Sequence, residues 1–135
     1  MARRINKNKV IRKNNHIPIT TETIAAAYEY LRTTPPFNKW NLPECDDITF
    51  KVANDPHHIG WHRVDGRGSK RKHLIAISSK CVGHTQSLMA TVSHEAIHLY
   101  MASTGMDRGV GEHGAAFQKI AAKVCGIHGF DHKAF

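Results

Sequence analysis

Between residues 20 and 34 the apolar side chains recur at helical spacing, with Ile24, Ala27, Tyr28 and Leu31 on one stripe. Thr20 or Thr21 can cap this helix, Glu22 suits the positive end of its dipole, and Pro35-Pro36 stops it. From 47 to 78 the period changes to two. Ile48, Phe50 and Val52 alternate with polar residues, Ile59 and Trp61 do so again, and Leu74 to Ile77 forms a short apolar run. These read as three short strands, expected to pair as an antiparallel meander that turns at Asp55-Pro56 and at Asp65-Gly66-Arg67-Gly68. A helical pattern returns at residue 85 and ends at Gly105, a good left-handed cap. A glycine-rich connection (Gly105, Gly109, Gly111) then leads to a last helix over about 112–125, closed by Gly126. The order predicts an α+β domain: a helix, a small antiparallel three-stranded sheet, and two further helices.

Length and composition narrow the class. At 135 residues the chain is long enough for one buried core and too short for two, so residues 20–135 are expected to form a single domain behind a basic arm, residues 1–19. With 41% hydrophobic and 22% charged residues, the composition speaks against a disordered chain or a coiled coil. The most apolar stretch, Ser87 to Ala102, is broken by polar residues and is too short for a bilayer, so no membrane span is expected. The opening residues carry positive charge without the apolar stretch of a secretory signal. The cytoplasm, including that of a bacterium expressing a phage-encoded protein, is therefore the expected compartment. Cys45, Cys81 and Cys125 are odd in number and dispersed, and read as reduced thiols that mostly fill the core.

Nineteen basic against eleven acidic residues give a net charge of +8. Arg3, Arg4, Lys7, Lys9, Arg12 and Lys13 all precede the first acidic residue, Glu22. Arg67, Lys70, Arg71 and Lys72 surround the second turn and read as an exposed basic loop. Both clusters are expected to make non-specific contact with DNA or RNA through phosphate neutralisation; the alternative is an ordinary solvated surface.

The chemistry concentrates in His94-Glu95-Ala96-Ile97-His98. Four residues along a helix turn the chain by about 40° beyond a full circle, so both imidazoles can reach one ion, while Glu95 falls about 60° past His98, beside that ion. A flanking carboxylate can take the proton of a water activated by Zn²⁺. From Cys81 through Met106, Glu95 is the only formally charged residue, and Leu88, Val92, Ala96 and Leu99 occupy the face opposite the histidines. A carboxylate in so apolar a helix is costly unless paired. The competing reading is a buried histidine and glutamate hydrogen-bond network.

A catalytic zinc takes three protein ligands and keeps one position open, so a third ligand must come from elsewhere. If residue 113 lies in the first turn of the last helix, His113 shares a stripe with Phe117, Ile120 and Val124 and faces the interior. Glu112 and the tail residues His128, Asp131 and His132 are the alternatives.

The string HEAIH, a glycine-containing spacer and then His113-Gly114-Ala115-Ala116-Phe117 resembles the SprT-like (Spartan-like) zinc metalloproteases, whose pattern is HExxH followed by His-Gly-x-x-Phe. Ile59-Gly60-Trp61 and Leu74 to Ser78 look like the strand pair that precedes the active-site helix in that family. The resemblance covers roughly residues 20–125. It implies a zincin-like fold, one Zn²⁺ per chain on His94, His98 and His113, Glu95 as general base, and a protein substrate, in better-known members a protein attached to DNA. The chain has no paired cysteines of a zinc ribbon, so the basic arm and loop are the candidates for meeting nucleic acid.

Other clusters are less pointed. His57, His58 and His62 read as an exposed polar edge in preference to a second metal site. Trp40 and Trp61 suit the core or a cleft wall better than base stacking. His62, His73, Tyr100 and Arg108 are candidates for stabilising an oxyanion, and the sequence does not choose among them. Two further readings compete with DNA-associated proteolysis: a regulatory peptidase that cleaves one protein partner without nucleic acid, and a non-enzymatic nucleic-acid-binding module with a structural zinc.

Overall fold

A computed structural model describes residues 19–109 and 111–135, so the six basic residues of the N-terminal arm lie outside the described residues. Helix α1 spans Thr21–Arg32. The Thr23 amide donates to Thr20 Oγ1 at 3.2 Å and the Thr20 amide donates to Thr23 Oγ1 at 2.9 Å, a reciprocal cap that satisfies two otherwise orphaned N–H groups. Its buried stripe is the expected one: Ile24, Ala27, Tyr28 and Leu31.

Strands β1 (Ile48–Ala53), β2 (Gly60–Asp65) and β3 (Lys72–Ser78) form one sheet in the order β1-β3-β2. The expected antiparallel meander is incorrect in one pairing. β2 and β3 are antiparallel, with His62 opposite Ile75, but β1 runs parallel to β3, with Phe50 opposite Ile75. The segment after β1 wraps around the C-terminal end of β3 instead of folding back beside β1. Ser79 donates its amide to Ala53 O at 2.9 Å, Ser78 donates its amide to Ile59 O at 2.8 Å, and the Ser78 hydroxyl donates to Asp55 O. Asp55 shapes this bend, its Oδ1 accepting from the amides of His57 and His58. β3 therefore lies in the middle, which explains why it is buried continuously from His73 to Ser78 while β1 and β2 alternate.

Helix α2 (Thr85–Thr104) crosses the sheet and ends at Gly105, whose φ of 75° is the left-handed cap expected there. Gly60 lets it come close: a Cβ on Gly60 would lie 2.8 Å from Ala76 O and 3.1 Å from Thr91 Cγ2. Helix α3 spans Ala115–His128, so it starts later than the expected residue 112 and runs through Gly126 to a left-handed cap at Gly129. A lone helical glycine costs only about 1 kcal/mol, less than the burial of Val124 and Cys125 around it returns. Ile24, Tyr28, Phe37, Ile75, Ile77, Val92, Leu99 and Phe117 form the core between the helices and one face of the sheet. No described helix is long and apolar enough to cross a membrane. The three cysteines are free, but only Cys125 is buried; Cys81 is exposed and is not core filler.

Candidate metal centre

Helix α2 carries His94 and His98 on one face, and the turn before α3 brings in His113. Their Nε2 atoms form a triangle with sides of 3.0 Å (His94 to His113), 3.2 Å (His94 to His98) and 3.2 Å (His98 to His113). Each Nε2 has one in-plane direction, a lone pair or an N–H, so pairwise hydrogen bonds cannot close such a triangle. One ion at its centre can engage all three lone pairs, and tetrahedral ligands about 2.0–2.1 Å from a metal stand about 3.3 Å apart. Among the described residues this is the one cluster of such donors able to hold a metal ion.

Phe117 is the floor of the cluster. Its ring centroid lies 4.8 Å from that of His94, 4.6 Å from His98 in a stacked pose, and 4.9 Å from His113. This explains the position of His113, which precedes α3 and does not lie in its first turn as the stripe suggested. Gly114 leads into the helix, and Gln118 Nε2 donates to the His113 carbonyl at 3.3 Å, holding the turn against the first residues of α3. Phe135 packs beside Phe117 on the same imidazole, its ring centroid 5.3 Å from that of His94 and 6.5 Å from that of Phe117, which restricts how the His94 ring can turn. Periodicity could not have found it, because Phe135 follows an irregular turn (His132–Ala134).

The alternative third ligands are engaged elsewhere. His128 Nε2 meets Pro35 O at 2.7 Å, His132 Nε2 meets Gln118 Oε1 at 3.1 Å, and Asp131 caps the final turn. Glu112 is exposed on the rim of the cleft.

Glu95 is 4% exposed, and its Oε2 has no hydrogen-bond partner. Its Oε1 stands 4.0 Å from His94 Nε2. Burial, reinforced by the charge of Glu112, pushes this carboxyl up to about 8. Burial also holds His94 and His98 down to about 4, helped by His98 and His113 for the first and by His113 for the second. Both imidazoles are therefore neutral near pH 7, the form a metal requires. An orphaned carboxylate oxygen beside three converging nitrogens fits a metal ion and its water.

A cleft of about 650 Å³ opens at this cluster, walled by β2 from Gly60 to Val64 on one side and by Glu95, His98, Met101 and Ala102 on the other. Trp61 lines it, whereas Trp40 stacks on Tyr100 at 4.4 Å within the fold.

A model of the SprT-like family matches residues 37–133. The chain belongs to the SprT-like family. Its domain is thus of the zincin-like metallopeptidase type, and the matched span takes in the sheet, the HExxH helix and the His113 turn. No curated protein matches the chain.

The basic loop joins β2 to β3, with Arg67, Lys70, Arg71 and Lys72 all exposed. Gly66, at φ 83°, makes the turn, and a Cβ there would lie 2.4 Å from Lys70 O. Arg71 is partly committed to the fold, since its Nη2 donates to Ala102 O at 2.9 Å and ties the loop to the last turns of α2. His58 pairs with Asp55 at 3.0 Å and His62 faces His73, so His57, His58 and His62 do not converge on one point.

Proposed function

We propose that this protein is a zinc-dependent metallopeptidase that hydrolyses peptide bonds in proteins bound to or near DNA, with His94, His98 and His113 as the ligands of one Zn²⁺ and Glu95 as general base. The observation that carries the reading is the buried, unpartnered Oε2 of Glu95 beside three converging imidazole nitrogens. When bound, zinc lowers the pKa of a water towards neutrality and polarises the substrate carbonyl. Glu95 accepts a proton from the attacking water as its oxygen adds to the carbonyl carbon. The same carboxyl then delivers that proton to the amide nitrogen, the C–N bond breaks, and the products are a carboxylic acid and an amine. Neutral His94 and His98 keep their lone pairs for the ligand role, and Phe117 holds the rings in place.

Strand β2 is an edge of the sheet and a wall of the cleft, so an extended peptide can pair with its free backbone groups and lie across Glu95. The exposed Arg67 to Lys72 loop continues directly from this strand, and its positive charge supports contact with phosphates near the substrate groove. A structural zinc is the weaker reading, because such sites close with four protein ligands and the described cluster supplies three. The cytoplasm, of a bacterium or of a cell expressing a phage gene, is the compartment proposed for this activity.

The experiment is incubation of the zinc-loaded protein with a basic DNA-binding protein, with no DNA, single-stranded DNA or double-stranded DNA. Fragments that accumulate faster with DNA support the full reading. Equal cleavage in all three arms favours the regulatory peptidase that works without nucleic acid, and no cleavage in any arm contradicts the peptidase reading.

A further inference from the structure

The cleft beside Glu95 holds another histidine that the hydrolytic scheme leaves unused. His62 stands opposite Ile75 on β2, two residues from Gly60 and on the same face, the one that meets Thr91 of α2. It lines the cleft together with Glu95 and His98. Its Nε2 is 2.9 Å from His73 Nδ1, and the two rings stack at 5.1 Å. His73 is 8% exposed, and its Nε2 makes a long contact of 3.5 Å with Ser103 Oγ. The His62 ring is thus held from β3 and α2 through one nitrogen, while Nδ1 has no partner among the described residues.

Of the four side chains that the sequence offers for stabilising an oxyanion, only this one remains. Tyr100 is stacked on Trp40, Arg108 lies over Gly105 with Nε 3.6 Å from where a Cβ would stand, and His73 has both nitrogens engaged. None of these three lines the cleft.

We propose that His62 is a catalytic residue of this site, donating its Nδ1–H to the carbonyl oxygen of the scissile peptide as negative charge builds there. His73 is the positioning residue: its Nδ1–H donates to His62 Nε2, which fixes the tautomer that leaves Nδ1–H free. Ser103 completes the chain by donating to His73 Nε2. No proton is transferred along it; the oxyanion gains a hydrogen bond from a preorganised donor and loses it when the carbonyl re-forms. Burial, His73, His98 and Arg71 together hold His62 down to about 3, so the ring stays neutral and keeps its proton throughout. The inference rests on the peptidase reading.

The first measurement is the ¹⁵N spectrum of the imidazoles in the metal-free wild-type protein at pH 7, which needs neither a variant nor activity. His62 should be neutral and protonated at Nδ1, and His73→Phe should move it towards the Nε2-protonated form. The second is kinetic. Zinc-loaded His62→Phe should keep its zinc and its KM within a few fold, while kcat falls about 10²- to 10³-fold. A phosphinic peptide that mimics the tetrahedral state should lose affinity by a similar factor. Hydrolysis by a wild-type protein whose His62 is protonated at Nε2, or unchanged kcat in zinc-replete His62→Phe, overturns the role of His62 alone. Absence of any hydrolysis by the zinc-loaded wild type overturns the peptidase reading and this role with it.

Discussion

His94 and His113 are nineteen residues apart in the chain, yet their Nε2 atoms stand 3.0 Å apart over the ring of Phe117. The glycine-rich connection does not determine that distance by itself. Packing of Phe117 against α2 sets it, and His113 follows because it precedes that anchor by four residues.

If His113 is a ligand on equal terms with the helix pair, His113→Ala should lower zinc content as much as His98→Ala does. Elemental analysis of purified protein checks this against an expected one zinc per chain for the wild type. Full occupancy in His113→Ala would move the third ligand elsewhere. Phe117→Ala should reduce occupancy less than either and should also cost about 3–5 kcal/mol of stability, since it empties a core position that is 2% exposed.

In the metal-free protein, Glu95→Gln should be stabilising, and more so as pH rises from 5 to 8. Below its ordinary value of 4.5 the carboxyl is protonated both folded and unfolded, and it imposes no cost. Between 4.5 and about 8 the unfolded chain releases this proton while the folded one retains it, so stability falls as pH rises. Gln removes that slope, and the difference should reach the order of a few kcal/mol by pH 8. His94 and His98 act in the opposite sense, losing stability as pH falls from 6.5 through about 4, but they are common to both proteins and cancel. Thermal melts in chelator at pH 5, 6.5 and 8 measure the effect; a difference that does not change with pH contradicts it.

Much of this site could be read from sequence because helical geometry is local. His94, Glu95 and His98 needed only a helix, and the lack of any other charge from Cys81 to Met106 already indicated burial. The buried stripe of α1 was legible for the same reason. The direction of β1 was not. Alternation shows which side chains share a face, and Ile48, Phe50 and Val52 do, but it is blind to whether the neighbouring strand runs parallel. The start of α3 and the contact of Phe135 with His94 also escaped, since both depend on where an irregular segment lands on a distant ring. The resemblance to the SprT-like family, carried by HEAIH and His113 to Phe117, agrees with the family match over residues 37–133.

Gly60→Ala should destabilise the protein by about 1–3 kcal/mol, because the added methyl must push against Ala76 O and Thr91 Cγ2, one of them backbone. Chemical denaturation measures the loss. Wild-type stability in this variant would show that α2 does not rest on β2 as closely as described.

Nucleic-acid contact should depend on both basic clusters. Binding to a DNA oligomer should weaken linearly on a log-log plot against salt, with about one unit of slope lost for each lysine or arginine truly on a phosphate. The comparison is between the full chain, a chain beginning at Asn14, and a loop variant with Lys70, Arg71 and Lys72 changed to Ser. Because Arg71 also ties the loop to Ala102, melting temperatures of the loop variant must accompany the titration. Equal affinity and slope in all three proteins would make the charge ordinary solvated surface.

If Glu95 removes the proton of the attacking water at a metal held by three histidines, Glu95→Gln must abolish most of the hydrolysis without disturbing the metal. Gln keeps the shape of the side chain and cannot accept that proton. The measurement is cleavage of a protein substrate by wild-type and Glu95→Gln proteins shown by elemental analysis to carry equal zinc. Full zinc, an unchanged fold and a rate lower by about 10²- to 10⁴-fold are expected in the variant. Equal turnover by the two zinc-replete proteins would contradict this role of Glu95.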